Sequence, residues 1–259
     1  MTTTAPENRL RRGAGGRTTA FGAWITLGSP LVAEMCADGG FDFVCVDLQH
    51  GVVGRDALST VLLGCGSSGA TPLVRVGHLA EIGPALDLGA HGVIVPMVNT
   101  PSDAERAVRA AKYPPLGERS FGPTRARWHL NRDRTPSEVN DEVLCLAMIE
   151  TPEGVASASR ICAVPGLDGV YVGPSDLAVA LGGTPGGDEG PAIRRAFEAV
   201  LDACSTHGTL AGVHAPSGAV AARRRAEGFG MVGIATDAAV LRAAYAAELA
   251  AAGDDHGRS

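Results

Sequence analysis

Polar side chains that could do chemistry follow several strongly apolar stretches of this 259-residue sequence. The first stretch, FVCVDLQHG, is typical of a buried strand, but its polar residues are Asp47, Gln49 and His50, all at its end. Histidine titrates near neutral pH, so His50 is a candidate general base. Because polar side chains are costly to bury in a core, their position at the end of the strand indicates that the strand carries them to a functional site.

Two carboxylates follow later apolar stretches. Glu150 ends the stretch VLCLAMIE, and Asp176 lies 26 residues further along the chain in the motif GPSD. Carboxylates without a neighbouring histidine or cysteine are typical ligands of hard divalent cations, which leave positions for water and substrate oxygens. Asp176 and Ser175 could instead cap a helix that begins at this point, so both interpretations stay open for Asp176.

Arg75 is the third chemical signal, because it lies inside an apolar segment between Val74 and Val76. Side chains of a strand alternate between its two faces, so the arginine points away from both valines into a region where an unpaired charge is costly. Arg75 is therefore either part of a structural ion pair or a group that binds a substrate carboxylate and stabilises developing negative charge.

Eight apolar segments alternate with helix-like segments and define the elements that must position these residues. We predict strands at residues 21–27, 41–48, 72–76, 92–98, 143–150, 167–173, 209–215 and 231–237. Their continuous runs of Val, Ile, Leu and Ala are typical of parallel strands covered on both faces. Eight βα pairs predict a (β/α)8 TIM barrel, whose active site lies at the C-terminal strand ends. A doubly wound open sheet is the second interpretation, but no GxGxxG turn follows the first strand.

The barrel is expected to form a single catalytic domain over residues 19–252. Residues 1–18 are predicted to be a flexible N-terminal lead, and residues 253–259 a disordered tail. The Arg- and Pro-rich segment 114–142 is longer than most connections, which indicates a functional or a disordered segment.

The composition disfavours several classes of partner. The net charge is −6 and no basic block stands out, so we expect no nucleic-acid partner. No apolar run is long enough for a membrane span, and the N-terminus lacks the apolar region of a secretory signal. Six cysteines without CxxC spacing are typical of reduced, buried thiols, so we expect a cytoplasmic protein.

Six ordered segments resemble the HpcH/HpaI aldolase family over about residues 20 to 250. They are GAWITLGSPLVAEMCADGGFDFVCVDLQHG, PLVRV, LDLGAHGVIVPMV, AAKYPPLGERSFG, AMIETPEG and LDGVYVGPSDLAVALG. The resemblance implies a (β/α)8 barrel and a class II, metal-dependent pyruvate aldolase, a lyase that acts through a pyruvate enolate.

By position, the resemblance assigns roles to individual residues. His50 corresponds to the catalytic base, Arg75 to the residue that stabilises the transition state, and Asp87 to the acid that orients the histidine. Glu150 and Asp176 correspond to the ligands of a divalent metal ion, for which Mg, Mn and Co are the candidates. The implied substrate-binding residues are Trp24, Gln49, Arg75, Met148, Gly173, Pro174 and Ser175.

Two positions depart from the family's pattern. Gln49 stands where these aldolases often have a glutamate, and Met148 stands where they commonly have a glutamine. The pocket is therefore expected to be less polar than in those aldolases.

The number of lysines bears on the mechanism independently of any resemblance. An aldolase must stabilise a carbanion beside a carbonyl, either with a lysine Schiff base or with a Lewis-acid metal. The chain has 22 basic residues, of which only Lys112 is a lysine, and it falls at the end of the fourth predicted helix, far from the expected site. This count favours the metal and also disfavours pyridoxal phosphate.

The resemblance implies a small 2-oxo acid, pyruvate or oxaloacetate, and an aldehyde or other acceptor as substrates. It also implies a homo-oligomer, a hexamer built as a trimer of dimers, in which the final helix packs on a neighbouring subunit. Arg119, Arg125 and Arg127 could bind a distal carboxylate, and His214, which ends the seventh strand, could line the acceptor side.

Three other functions stay open. The same site could decarboxylate oxaloacetate or trap the enolate with an unsaturated acceptor in a biosynthetic reaction. The chain could also be a citrate-lyase-like enzyme acting on acyl-CoA thioesters, although it shows no basic strip for a nucleotide. A non-catalytic barrel would be the third, but it would need none of the residues assigned above.

Overall fold

Eight parallel strands close into a barrel in chain order, and the last pairs with the first. The computed structural model describes residues 8, 10, 19–66, 69–123, 125–129, 134–185 and 190–253. The strands are β1 (Ala20–Ile25), β2 (Phe43–Asp47), β3 (Thr71–Arg75), β4 (Gly92–Val95), β5 (Leu144–Ile149), β6 (Gly169–Val172), β7 (Leu210–Ala215) and β8 (Met231–Thr236). The (β/α)8 TIM barrel is confirmed, and every strand lies within three residues of its predicted bounds.

Helices cover the outside of the barrel, and sequence signals mark where several of them begin. They are α1 (Pro30–Asp38), α2 (Arg55–Cys65), α3 (Ile82–Asp87), α4 (Pro101–Ala111), α5 (Ala126–His129), α6 (Pro136–Glu142), α7 (Pro152–Cys162), α8 (Pro174–Ala180), α9 (Pro191–His207), α10 (Gly218–Glu227) and α11 (Asp237–Ala251). Ser29, Thr100 and Thr151 cap α1, α4 and α7, and each precedes a proline at the first helical position. A polar cap followed by proline satisfies the free N–H groups of a helix start.

The inside of the barrel is a packed core. Its buried apolar residues are Leu10, Trp24, Phe43, Cys45, Leu73, Ile94, Leu144, Leu146, Met148, Tyr171, Leu210 and Met231. Large and small residues are matched across neighbouring strands: a β-carbon on Gly22 of β1 would lie 2.1 Å from the ring of Phe43 on β2. Glycine on one strand therefore makes room for an aromatic ring from the next.

The N-terminal segment contacts the barrel at the N-terminal ends of β4 and β5. Leu10 is 3% exposed and packs against the interior core. The side chain of Asn8 donates hydrogen bonds to the carbonyls of His91 (3.2 Å) and Glu142 (2.8 Å). The other residues of the predicted flexible lead, up to residue 18, lie outside the described residues.

A bulge joins the ends of β1 and β8. Ala235 has φ 49°, and the pairing shifts there, so that Trp24 pairs with Thr236. The bulge places Asp237 at the start of α11, where its carboxylate accepts hydrogen bonds from the backbone N (2.8 Å) and the hydroxyl (2.6 Å) of Thr26. Strain of this kind persists where surrounding bonds enforce it, and here it organises the C-terminal edge of the barrel.

The connection before β5 lies away from that edge, whereas the last helix begins at it. Residues 112–143 connect α4 to β5, so they enter the barrel at its N-terminal end, opposite the strand ends where the site was predicted. The final helix, α11, is exposed at every residue from 239 to 251, including Tyr245 (70%) and Val240 (56%). Among the described residues, no helix is long and apolar enough to cross a membrane.

Gly22→Ala is expected to lower the free energy of unfolding by about 1–3 kcal/mol, because the added methyl group overlaps the Phe43 ring. Urea denaturation followed by circular dichroism measures the change. Gly83→Ala is the matched control, since nothing lies within 4 Å of its added β-carbon inside α3. It should leave stability equal or raise it by up to about 1 kcal/mol. Equal losses in both variants would contradict the explanation.

Candidate active site

A pocket of about 230 Å³ opens at the C-terminal ends of the strands. It is lined by Trp24, Thr26, Asp47, His50, Arg75, Met148, Glu150, Gly173, Pro174, Ser175, Asp176, His214 and Thr236. All the predicted site residues except Gln49 and Asp87 are therefore brought together there. The residues come from many strands of the barrel, as expected for an active site of this fold.

Arg75 is paired with Asp47, a residue that the sequence analysis left without a role. The two face each other across the β2–β3 pairing, and the guanidinium donates from Nε to Oδ1 (2.9 Å) and from Nη2 to Oδ2 (2.5 Å). Asp47 is 1% exposed and Arg75 is 9% exposed. The structural ion pair expected as one alternative is thus present, and the guanidinium still lines the pocket, 5.2 Å from the centre of the Trp24 ring.

Asp47 also organises the turn that carries His50. Its carboxylate accepts hydrogen bonds from the backbone N of Gln49 (3.0 Å), the backbone N of His50 (3.2 Å) and Nε1 of Trp24 (3.2 Å). Burial alone would raise the pKa of Asp47, but the hydrogen bonds and charge of Arg75 hold that pKa below its usual value. Asp47 is therefore an anion that fixes both the arginine and the histidine turn.

Glu150 is a buried carboxylate, 1% exposed, beside a second carboxylate. Burial, together with the smaller effect of the Asp176 charge, raises its pKa to about 7, although a hydrogen bond from the backbone N of Met97 (2.8 Å) opposes the shift. Met97 has φ 55°, an unusual conformation for a residue other than glycine. A β-carbon on Gly173 would lie 2.5 Å from Oε2 of Glu150, so glycine is required there.

The capping role that the sequence left open for Asp176 and Ser175 is not seen in the structure. Asp176 lies exposed in the first turn of α8, whose N-cap is Gly173, and no side chain caps this helix. Within the described residues, no group of three or more His, Cys, Asp or Glu side chains could hold a metal ion. The protein ligands offered here are thus the carboxylates of Glu150 and Asp176. Two oxygen ligands that repel each other fit a hard divalent cation that keeps open positions.

His50 lies at the rim of the pocket, and Gln49 precedes it in the same turn. His50 is exposed and lines the pocket. Gln49 does not line it, and its buried Oε1 has no hydrogen-bond partner among the residues that the structure describes.

Asp87 lies away from the pocket. It ends α3, its carboxylate accepts a hydrogen bond from Arg119 (2.6 Å), and both line a groove of about 620 Å³ beside α4. Because α3 runs from the C-terminal edge towards the start of β4, the chain does not place Asp87 beside its own His50. Arg119 and Arg125, which were candidates for binding a distal carboxylate, contact Asp87 and the Leu88 carbonyl instead.

Lys112 is buried at the opposite end of the barrel from the pocket. Its Nζ donates to the carbonyls of Asn140 (2.8 Å) and Val143 (2.5 Å) and to Oδ2 of Asp168 (2.9 Å). These partners lie just before β5 and β6 begin. The single lysine therefore cannot form a Schiff base in the pocket, as its position in the sequence predicted.

His214, which the sequence analysis named as a candidate for the acceptor side, lines the pocket. Burial, together with the smaller effect of the Arg75 charge, lowers its pKa to about 4. Its ring packs edge-on against Trp24, with centroids 5.1 Å apart. The side chain is therefore uncharged near pH 7. Its position at a strand end was visible in the sequence, whereas its burial was not.

Comparison with known proteins agrees with the fold. The HpcH/HpaI aldolase/citrate lyase family matches residues 20–244. A hydroxypyruvate/pyruvate aldolase from Rhizorhabdus wittichii is 37% identical over 87% of this chain and 90% of its own. A solved HpcH/HpaI aldolase/citrate lyase family protein from Burkholderia cenocepacia has a TM-score of 0.88 at 30% identity, covering 95% of this chain and 100% of its own. The solved citrate synthase SbnG has a TM-score of 0.82 at 26% identity, covering 96% and 97%.

Asp47→Asn is expected to lower the free energy of unfolding by about 3–5 kcal/mol, because it leaves the buried Arg75 charge unpaired. Urea denaturation at pH 7 measures this loss. Glu118→Gln is the control, since it breaks an exposed pair with Arg109 and should cost about 0–1 kcal/mol. Equal losses of stability in the two variants would contradict the pairing role of Asp47.

Proposed function

The chain belongs to the HpcH/HpaI aldolase/citrate lyase family, and we propose that it is a divalent-metal-dependent aldolase that makes or cleaves a C–C bond through a pyruvate enolate. The observation that supports this most directly is the pocket itself. It combines the buried carboxylate of Glu150, the exposed carboxylate of Asp176, an arginine and an exposed histidine, while the lysine needed for a Schiff base lies at the other end of the barrel. An aldolase of this kind cleaves 2-oxo-4-hydroxy acids.

Glu150 and Asp176 are the residues that would hold Mg, Mn or Co. A divalent cation there would supply Lewis-acid stabilisation of the charge on the keto oxygen of a 2-oxo acid. The raised pKa of Glu150 supports the assignment, because a buried carboxylate beside another carboxylate is stabilised by a neighbouring cation. Gly173, Pro174 and Ser175 line the same side and would contact the substrate carboxylate.

Arg75 would offset the negative charge that develops on the reacting oxygens. Its guanidinium is held by Asp47 and by the Trp24 ring, so it needs no rearrangement during the reaction. Such preorganised charge is usually a large contribution to catalysis. Trp24 and Met148 would form the apolar part of the pocket, with Gln49 behind the rim.

His50 would move the proton between the aldol hydroxyl and solvent. It is exposed at the pocket rim, and Asp47 fixes the backbone that carries it. Exposure to water suits a base that must exchange its proton in every turnover.

Asp87 can assist His50 only from another subunit, which is a reason to propose a homo-oligomer. The exposed apolar face of α11 supports this, since Tyr245, Val240 and Leu249 would otherwise stay in water. A hexamer built as a trimer of dimers, with α11 packed on a neighbour, is the assembly that we infer.

A cytoplasmic location is also proposed, because all six cysteines are free thiols, five of them buried.

A second activity on the same site is decarboxylation of oxaloacetate or capture of the enolate by another acceptor. Met148 favours this candidate, since it is 2% exposed and adds an apolar wall to the pocket. The structural similarity to the citrate synthase SbnG is consistent with such a reaction.

Removal of divalent metal should abolish both pyruvate aldol cleavage and oxaloacetate decarboxylation. Turnover is measured after EDTA treatment and again after addition of Mg, Mn or Co, each of which should restore it. Borohydride with pyruvate should trap no covalent adduct, because Lys112 is buried away from the pocket. Full activity in EDTA, or a trapped adduct, would refute the metal mechanism.

His50→Ala should lower kcat/KM for aldol cleavage by about 10²–10⁴-fold, which is the usual contribution of a general base. Mn affinity, measured by calorimetry, should stay near the wild-type value, since His50 is not one of the two proposed ligands. His78→Ala is the control, because His78 is exposed in the loop after β3. Unchanged turnover in His50→Ala would remove this residue from the mechanism.

A further inference from the structure

Met97, in the connection after β4, has a backbone conformation that its own side chain does not explain. Its φ is 55°, and among the described residues only Ala235 is another non-glycine residue with a positive φ. A β-carbon makes this conformation costly, so it persists only where surrounding contacts enforce it. The Met97 side chain is 51% exposed and does not line the pocket. The conformation is therefore set by contacts of the main chain.

The main-chain N–H of Met97 points at the buried carboxylate of Glu150. It donates a hydrogen bond to Oε1 over 2.8 Å. Because an amide N–H can only donate, Oε1 is held as an acceptor and the carboxylate keeps one orientation. The other oxygen, Oε2, faces Gly173, where an added β-carbon would lie 2.5 Å away. Gly173 is the N-cap of α8, which carries Asp176 in its first turn, so Oε2 faces the helix that carries the second carboxylate.

Hydrogen bonds just beyond this residue hold the connection in place. The backbone N of Val98 donates to the carbonyl of Met148 on β5 (3.0 Å). The side chain of Asn99 accepts a hydrogen bond from the hydroxyl of Thr151, which caps α7. The connection after β4 is thus bonded to the chain both before and after Glu150. Strain that is enforced from several sides is typical of functional sites, where it fixes one geometry in advance.

We propose that Met97 is a positioning residue for the divalent cation, because its left-handed backbone holds the Glu150 carboxylate in the orientation in which Glu150 and Asp176 bind the cation together. The inference rests on the proposed function, in which these two carboxylates are the protein ligands. Hydrogen bonds that orient a metal-binding carboxylate commonly change metal affinity by about 10–100-fold. Met97 acts through Glu150, and its own side chain takes no part.

The test measures the dissociation constant of Mn by calorimetry on the full chain without substrate. Met97→Pro should raise this constant about tenfold, because proline has no N–H and cannot adopt a positive φ. Met97→Val keeps the N–H but disfavours φ 55°, so it should raise the constant less, about threefold. Met97→Gly should bind Mn like the wild type, since glycine adopts this φ readily and keeps the N–H.

Gly40→Val is the matched control for backbone strain. Gly40 also has a positive φ, 94°, but it precedes β2 at the opposite end of the barrel. Nothing lies within 4 Å of a β-carbon added there, so the substitution strains the backbone without a clash. It should lower stability in urea denaturation without metal and leave Mn affinity unchanged.

The outcomes separate this inference from the function on which it rests. Wild-type Mn binding that Met97→Pro and Met97→Val both retain overturns the role of Met97 and leaves the metal site intact. If Met97→Pro does not fold, Met97→Val decides. No Mn binding by the wild type overturns the metal site and this inference together. A loss in the proline and valine variants supports the inference if Met97→Gly and Gly40→Val bind normally, and an equal loss in either of those two overturns it.

Discussion

The buried pair between Asp47 and Arg75 is the interaction on which the pocket depends. One carboxylate receives hydrogen bonds from the guanidinium, from the Trp24 indole and from the backbone of the turn that carries His50. It therefore connects β1, β2, β3 and the rim of the pocket. Taking two charges out of water is costly, so a well-bonded pair of this kind is expected where geometry matters more than stability. The same hydrogen bonds therefore connect the strands of the barrel and position the side chains of the pocket.

Charge balance explains the rest of the pocket. Asp47 pairs with Arg75, and among the described residues neither Glu150 nor Asp176 has an ion pair with a basic side chain. Burial and the neighbouring carboxylate raise the pKa of Glu150, and a bound divalent cation would favour its charged form. Burial and the charge of Arg75 also lower the pKa of His214, so its imidazole is uncharged near pH 7.

The features that could be predicted from the sequence are those that depend on the local pattern of apolar and polar residues. Eight continuous apolar runs located the strands, and the rule that barrel sites lie at strand ends brought His50, Arg75 and Glu150 together correctly. Features that depend on distant contacts were harder to predict. The pairing of Asp47 with Arg75 requires the register of two strands, and the neutral state of His214 requires its burial. The position of Asp87 at the end of a short helix separates it from His50 in a way that no motif reveals.

The depth of the pocket has a kinetic consequence for an aldolase. The interior below Met148 is packed with aromatic and aliphatic side chains, so the pocket is open at one end only. Glu150 is buried at its inner side, whereas His50 is exposed at its rim. Under the proposed function, a donor bound at Glu150 would enter before the acceptor that covers it and would leave last after cleavage. The closed inner end of the pocket would then set the order of substrate addition.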